Sequence, residues 1–195
     1  MIVGLTGGIG SGKSMVSRIL SLMGCAVFSS DEAAKQVYFE EAVKKNVIAL
    51  LGSDAYKSDC EIDRSYISSK IFSDTSLLQS LNGIIHPAVA QSFNAFVNTH
   101  PKAIIIKETA LLFEAGIDKE VDMIVTVAAD EEIRVERVMH RDGLSRNEVL
   151  KKIKSQLSQE EKIKKSHYVI YNNNNRSLIE QCAELIEKLK GPQHV

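Results

Sequence analysis

Residues 7–14 read Gly-Gly-Ile-Gly-Ser-Gly-Lys-Ser and directly follow an apolar run at residues 1–6. The spacing Gly-x-x-x-x-Gly-Lys-[Ser/Thr] is that of a phosphate-binding loop set between a buried strand and a helix. Its glycines let successive N–H groups turn inward on an anion, and the following helix adds the positive end of its dipole. Lys13 can reach the β- and γ-phosphates of a nucleotide, and the Ser14 hydroxyl can coordinate Mg²⁺. A dinucleotide-binding fingerprint fails on spacing, because its third glycine would have to stand at Lys13.

Three further groups could act beside this loop. Asp31 lies just past a second apolar run, at the strand end where open α/β sheets bind ligands. It could orient an attacking hydroxyl and accept its proton. Ser29-Ser-Asp-Glu32 also fits a capping box, which would leave Asp31 as a helix-dipole partner. Arg134, Arg137 and Arg141 stand at i, i+3 and i+7, a spacing that gathers guanidiniums on one helix face for phosphate oxygens. Glu132 and Glu136 could instead pair with them. Glu108 ends a third apolar run, where a carboxylate could hold a water of a Mg²⁺ shell or be an ordinary strand-end residue. His86-Pro87 reads as a helix–helix junction, with the proline opening the second helix.

These groups need a scaffold. Apolar runs at 2–6, 25–28, 103–106, 122–128 and 168–171 are continuous rather than alternating, as in strands buried on both faces. Helical patterns separate them, which predicts a five-stranded parallel sheet covered on both sides. Val16, Ile19, Leu20 and Met23 give the helix after the loop its core face, with Gly24 as its stop. The stretch 29–102 is helical with no clear strand and too long for a simple crossover, so it reads as a substrate-binding insertion. The charged stretch 129–166 reads as a lid. A final helix at about 176–190 places Leu178, Ile179, Leu185, Ile186 and Leu189 at core spacing, and residues 172–175 form a polar turn.

The chain has 195 residues, 44% of them hydrophobic and 25% charged, with a net charge of −1. That suits one domain with inserted subdomains and gives no general reason to expect nucleic acid or an anionic membrane as a partner. Cys25, Cys60 and Cys182 lie far apart, which argues against a zinc site and fits a reducing compartment. With no basic leader and no run of about 20 apolar residues, the expectation is a soluble, cytoplasmic protein.

Together these segments resemble the dephospho-coenzyme A kinase family over nearly the whole chain. The resemblance is carried by the loop from Leu5 to Ser14, Leu81-Asn-Gly-Ile-Ile-His-Pro-Ala-Val89, Leu111-Leu-Phe-Glu-Ala-Gly116, Val121-Asp122, Arg137-x-x-x-Arg141-Asp-Gly-Leu-Ser145, Gln156 and Val169-Ile-Tyr-Asn172. Against the family pattern, Ser29 replaces a first aspartate, Lys35 an arginine, Ala110 a proline and Lys152 an arginine.

The resemblance implies an α/β fold: a three-layer P-loop sandwich with a five-stranded parallel sheet, a helical acceptor-binding insertion and a helical lid. One domain would divide into a core (1–31, 101–130, 166–195), an acceptor region (32–100) and a lid (131–165). The implied reaction is ATP-dependent phosphorylation of the ribose 3′-hydroxyl of dephospho-CoA, with Mg²⁺. ATP would contact Gly8, Ile9, Gly10, Ser11, Gly12, Lys13, Ser14, Met15 and Arg141. Asp31, Lys13 and Arg137 would be catalytic, Asp31, Lys35 and His86 would hold the acceptor, and Ser14 and Glu108 would serve the metal. The partners are then small molecules, with the protein a monomer or weak homo-oligomer. A different small-acceptor kinase and a nucleotide switch are the alternatives, but the guanine-specific Asn-Lys-x-Asp segment is absent.

Overall fold

The computed structural model describes residues 1–72 and 74–191. The chain forms two compact units. One combines Met1–Ser29 with the chain from His100 onward, and the other is Ser30–Thr99.

In the first unit, β1 (Ile2–Thr6), the helix α1 (Lys13–Leu22) and β2 (Ala26–Ser29) come first. In the second, α2 (Ser30–Gln36), a single turn at Val37–Phe39, α3 (Glu41–Leu51), β3 (Tyr56–Ser58), β4 (Glu61–Ile62), α4 (Arg64–Phe72) and α5 (Thr75–Thr99) follow. The chain then returns to the first unit with β5 (Ile105–Glu108), β6 (Met123–Ala128), α6 (Glu131–Asp142), α7 (Arg146–Lys154), α8 (Gln159–Lys164), β7 (Tyr168–Tyr171) and α9 (Leu178–Lys190).

The five apolar runs pair as one parallel sheet in the order β2-β5-β1-β6-β7. Alternation along a strand sends neighbouring side chains to opposite faces, so each strand serves two layers. Val3, Leu5, Val125 and Val127 join Val16 and Leu20 of α1 and Cys182, Leu185, Ile186 and Leu189 of α9 in one core cluster. Thr126, between those two valines, reaches the other face, where its hydroxyl donates to the Lys162 carbonyl of α8. Ile179 departs from the expected core. It is 62% exposed, at the edge of the α9 stripe in its first turn, while Gln181 is buried and brackets the Tyr171 backbone from both sides.

The second unit has its own core, in which Val37, Val43, Val47, Leu51, Ala55 and Ile67 pack with Leu81, Ile85 and Ala88. Two expectations fail here. Residues 29–102 are not purely helical, because β3 and β4 form a small antiparallel hairpin. Strands of three and two residues are too short to print a period. His86-Pro87 is also no junction, since α5 runs unbroken for 25 residues through Pro87. Proline removes one N–H, here the partner of the Gly83 carbonyl one turn back. Leu81 and Ile85 before it and Ala88 after it pack into the same cluster, so burial of a continuous stripe outweighs the local break.

Candidate active site

The phosphate-binding loop leaves β1 at Thr6 and enters α1 at Lys13. Two of its glycines are required by backbone and space together. Gly10 and Gly12 have φ of 80° and 94°, in the left-handed region that L side chains avoid. A Cβ at Gly12 would come 2.2 Å from Asn172 Nδ2, and one at Gly10 would come 2.5 Å from the Arg134 carbonyl oxygen.

Three side chains from distant parts of the chain brace the loop. Gln156 Oε1 accepts from the Ile9 N–H at 2.9 Å. Arg134 Nε donates to the Ile9 carbonyl at 3.0 Å, and Asn172 Nδ2 donates to the Ser11 carbonyl at 2.9 Å. The N–H groups of Ile9, Ser11 and Met15 are spent on Gln156, Gly8 and Gly12. Those of Gly10, Gly12 and Ser14 have no protein acceptor among the described residues. Such N–H groups at a helix start are anion donors. Lys13 is 9% exposed, and its ammonium donates to the Gly7 carbonyl at 3.0 Å and so bends back over the loop. Ser14 and Met15 are exposed, and the buried Ser11 hydroxyl has no hydrogen-bond partner.

The three arginines of α6 take three different roles. Arg134 is 4% exposed and acts as a strut under the loop; its burial pulls the guanidinium pKa below its usual value. Arg137 Nη2 donates to the carbonyl and Oδ1 of Asn172 at 3.1 and 3.4 Å and to Asn174 Oδ1 at 3.2 Å. Its Nη1 is buried without a partner, and it stands 4.0 Å from the place a Gly12 Cβ would occupy. A buried, unpaired guanidinium nitrogen beside an anion loop is costly unless an anion completes it. Arg141, 62% exposed, is turned away and forks onto Asp142 at 2.7 and 2.9 Å. Glu132 pairs with Arg146.

At the carboxyl edge of the sheet, Glu108 stands in register with Leu5 of β1 and Ser29 of β2. It is 7% exposed, and its Oε2 accepts from Ser17 Oγ at 2.8 Å. Ser17 is one turn along α1 from Ser14 on the same side, so the two expected metal-associated residues belong to one corner of this unit. No group of three or more His, Cys, Asp or Glu residues suited to a metal cage occurs among the described residues. A nucleotide-bound Mg²⁺ needs no such cage, because phosphates and water supply most of its oxygens. Hydroxyl and carboxylate are the hard oxygen donors it takes.

In the second unit Asp31 lies exposed in the first turn of α2. Lys35, one turn further, pairs with Glu32. His86 is exposed on α5.

Glu114, in the segment Leu111–Gly116, has a task that the sequence does not show. Lys162 is fully buried; its ammonium donates to the Ala110 carbonyl at 2.7 Å and meets Glu114 Oε1 at 2.9 Å. The same oxygen accepts from the Leu157 N–H at 2.8 Å. Burial alone would raise the Glu114 pKa, but these hydrogen bonds outweigh it and hold the carboxyl below its usual value. The braces at Gln156 and Asn172 were also unassigned from sequence. Each contact spans more than a hundred residues, and no local pattern encodes that.

A family model described as dephospho-CoA kinase matches residues 1–177. A dephospho-CoA kinase of Fusobacterium nucleatum is 41% identical, over 90% of this chain and 91% of its own. One of Bacteroides fragilis is 40% identical, over 98% and 94%. Among solved structures, a Thermus thermophilus protein superposes with a TM-score of 0.88 at 31% identity, covering 98% of both chains. A shikimate kinase of Acinetobacter baumannii shares the fold at 15% identity and a TM-score of 0.54, over 100% of this chain and 95% of its own. By the family-model match over residues 1–177 and by relatives 40–41% identical over nine-tenths or more of both chains, the chain belongs to the dephospho-CoA kinase family.

Proposed function

We propose that the protein transfers the γ-phosphoryl group of ATP to the ribose 3′-hydroxyl of dephospho-CoA, giving CoA and ADP, the last step in making coenzyme A. The observation that carries the reading is the unpartnered Arg137 Nη1 beside Gly12, in a chain whose family acts on this acceptor. In phosphoryl transfer, catalysis is mostly positioning and charge stabilisation. The free N–H groups of Gly10, Gly12 and Ser14 hold phosphate oxygens, with Gly8, Ile9, Ser11 and Met15 shaping the loop. Lys13 and Arg137 stabilise the charge that builds on the transferred group, and Arg141 exchanges Asp142 for phosphate when nucleotide is present.

Asp31 orients the 3′-hydroxyl and accepts its proton as the oxygen–phosphorus bond forms and the bond to the ADP oxygen breaks. Supporting this, Asp31 follows the end of β2 by two residues, and β2 ends at the sheet edge where the loop leaves β1. Lys35 and His86 bind the acceptor. Ser14, with Glu108 through water, holds Mg²⁺, which when bound neutralises phosphate charge. The working division is a core (1–31, 101–130, 166–195), an acceptor region (32–100) and a lid (131–165). The protein works in the cytoplasm as a monomer or weak homo-oligomer. Among the described residues, no helix is long and apolar enough to cross a membrane.

Mass spectrometry of the product made from ATP and dephospho-CoA tests this. The acceptor gains one phosphoryl group that a 3′-nucleotidase removes. An acceptor unchanged in mass, or a phosphate that resists that enzyme, contradicts the reading.

A further inference from the structure

Ile9 sits inside the phosphate-binding loop, yet its side chain has nothing to give a phosphate and its N–H is spent on Gln156. Its groups face the helices that follow β6 instead. The side chain packs against the buried cluster of Val135 and Val138 of α6 and Val149 of α7. The N–H donates to Gln156 Oε1, just after α7, at 2.9 Å, and the carbonyl accepts from Arg134 Nε of α6 at 3.0 Å. At the next residue, a Cβ on Gly10 would come 2.9 Å from Val138 Cγ2 and 3.0 Å from the Arg134 Cα, so the loop backbone lies directly on α6.

Arg134, Arg137 and Val138 stand at i, i+3 and i+4 of α6, neighbours on one side of the helix. Arg134 and Val138 rest on the loop at Ile9 and Gly10. Arg137, between them in the chain, meets the loop at Gly12, where its Nη1 is unpartnered. The bonds to Asn172 and Asn174 fix the tip of that side chain, and the seat of α6 fixes its base.

Close-packed side chains transmit a displacement rather than absorb it, so a change in the seat of Ile9 moves the helix that carries the guanidinium. We infer that Ile9 is a positioning residue for phosphoryl transfer and acts through Arg137. Its side chain seats α6 on the loop, and the seated helix sets the Arg137 guanidinium against the transferred phosphate. This role needs no contact between the Ile9 side chain and the nucleotide. The inference rests on the role proposed above for Arg137.

A double-mutant cycle tests it. The rate read is transfer of labelled γ-phosphate to dephospho-CoA in a single turnover with enzyme in excess, so that slow variants stay measurable. Ile9→Ala slows transfer about tenfold or more, toward the roughly 10²-fold that a misplacement of about 1 Å can cost. Ile9→Val keeps the branched shape and stays within about twofold of wild type. In an Arg137→Ala background, Ile9→Ala slows transfer by less than about twofold further, because residues that act through one another are not additive. A role in folding alone, or in the loop's shape alone, gives the same fold-change in both backgrounds, and that result overturns the inference. So does a wild-type rate in Ile9→Ala. Should circular dichroism show Ile9→Ala unfolded, Ile9→Thr carries the same cycle. Its hydroxyl among apolar groups weakens the seat and slows transfer about threefold in the wild-type background only. Arg137→Ala at the wild-type rate overturns the role given to Arg137, and this inference with it, and leaves the reaction standing. A wild-type enzyme that leaves dephospho-CoA unphosphorylated overturns all three.

Discussion

Asn172 serves two partners, because its side-chain amide N–H holds the Ser11 carbonyl while its side-chain oxygen and its backbone carbonyl accept from Arg137. Asn172→Ala frees the Ser11 carbonyl and leaves Arg137 only the residue-172 backbone carbonyl and Asn174 as acceptors, and kcat should fall roughly tenfold or more, the scale of a lost buried hydrogen bond that fixes a reacting geometry. Asn172→Asp separates the jobs, since it keeps an acceptor for Arg137 but sets a carboxylate against the Ser11 carbonyl. If both variants retain wild-type kcat, the brace has no part in positioning. Asp31→Asn should cut kcat on the order of 10²-fold, the usual scale of a general base; near wild-type turnover would remove Asp31 from the chemistry. At this scale the loop was legible, because its glycines, Lys13 and Ser14 are contiguous and each type has a local reason. Its braces were not legible. Nothing near Asn172, Gln156 or Arg134 in the chain marks them as neighbours of residues 8–12, and only the strand order brings them there.

Elements obey packing before propensity. Pro87 lies inside α5 because the stripe from Leu81 to Ala88 buries as one surface, so the local helix-stop signal misled. The same fact predicts a gain. Pro87→Ala restores an N–H for the Gly83 carbonyl at an exposed site, and it should stabilise by about 1–2 kcal/mol, the helix-breaking cost less the unfolded-state advantage of proline. A denaturant midpoint that fell would contradict this. The hydrophobic stripes of α1 and α9 were readable because a 3.6-residue period survives over helices of 10 and 13 residues. The β3–β4 hairpin is too brief for any period to register.

The first unit depends on an ion pair that the sequence does not announce. Glu114 joins the chain after β5 to the buried ammonium of α8 and to the Leu157 N–H. Because its folded pKa is depressed, the carboxylate stabilises the fold above its unfolded value of about 4.3. That contribution is lost as pH falls through the folded pKa. Glu114→Gln should therefore unfold more readily at neutral pH, by about 3 kcal/mol where a buried charge loses its partner, and show a flatter acid limb. Identical acid limbs for the two proteins would remove Glu114 from that role.

For the whole molecule, the parallel sheet and the loop define a nucleotide donor site that many kinases share, and the acceptor distinguishes this family. The central claim is tested most directly by ADP release from ATP with dephospho-CoA, with AMP, or with no acceptor. Release driven by dephospho-CoA and near background with the other two is the predicted result. Stimulation by AMP but not by dephospho-CoA would contradict it.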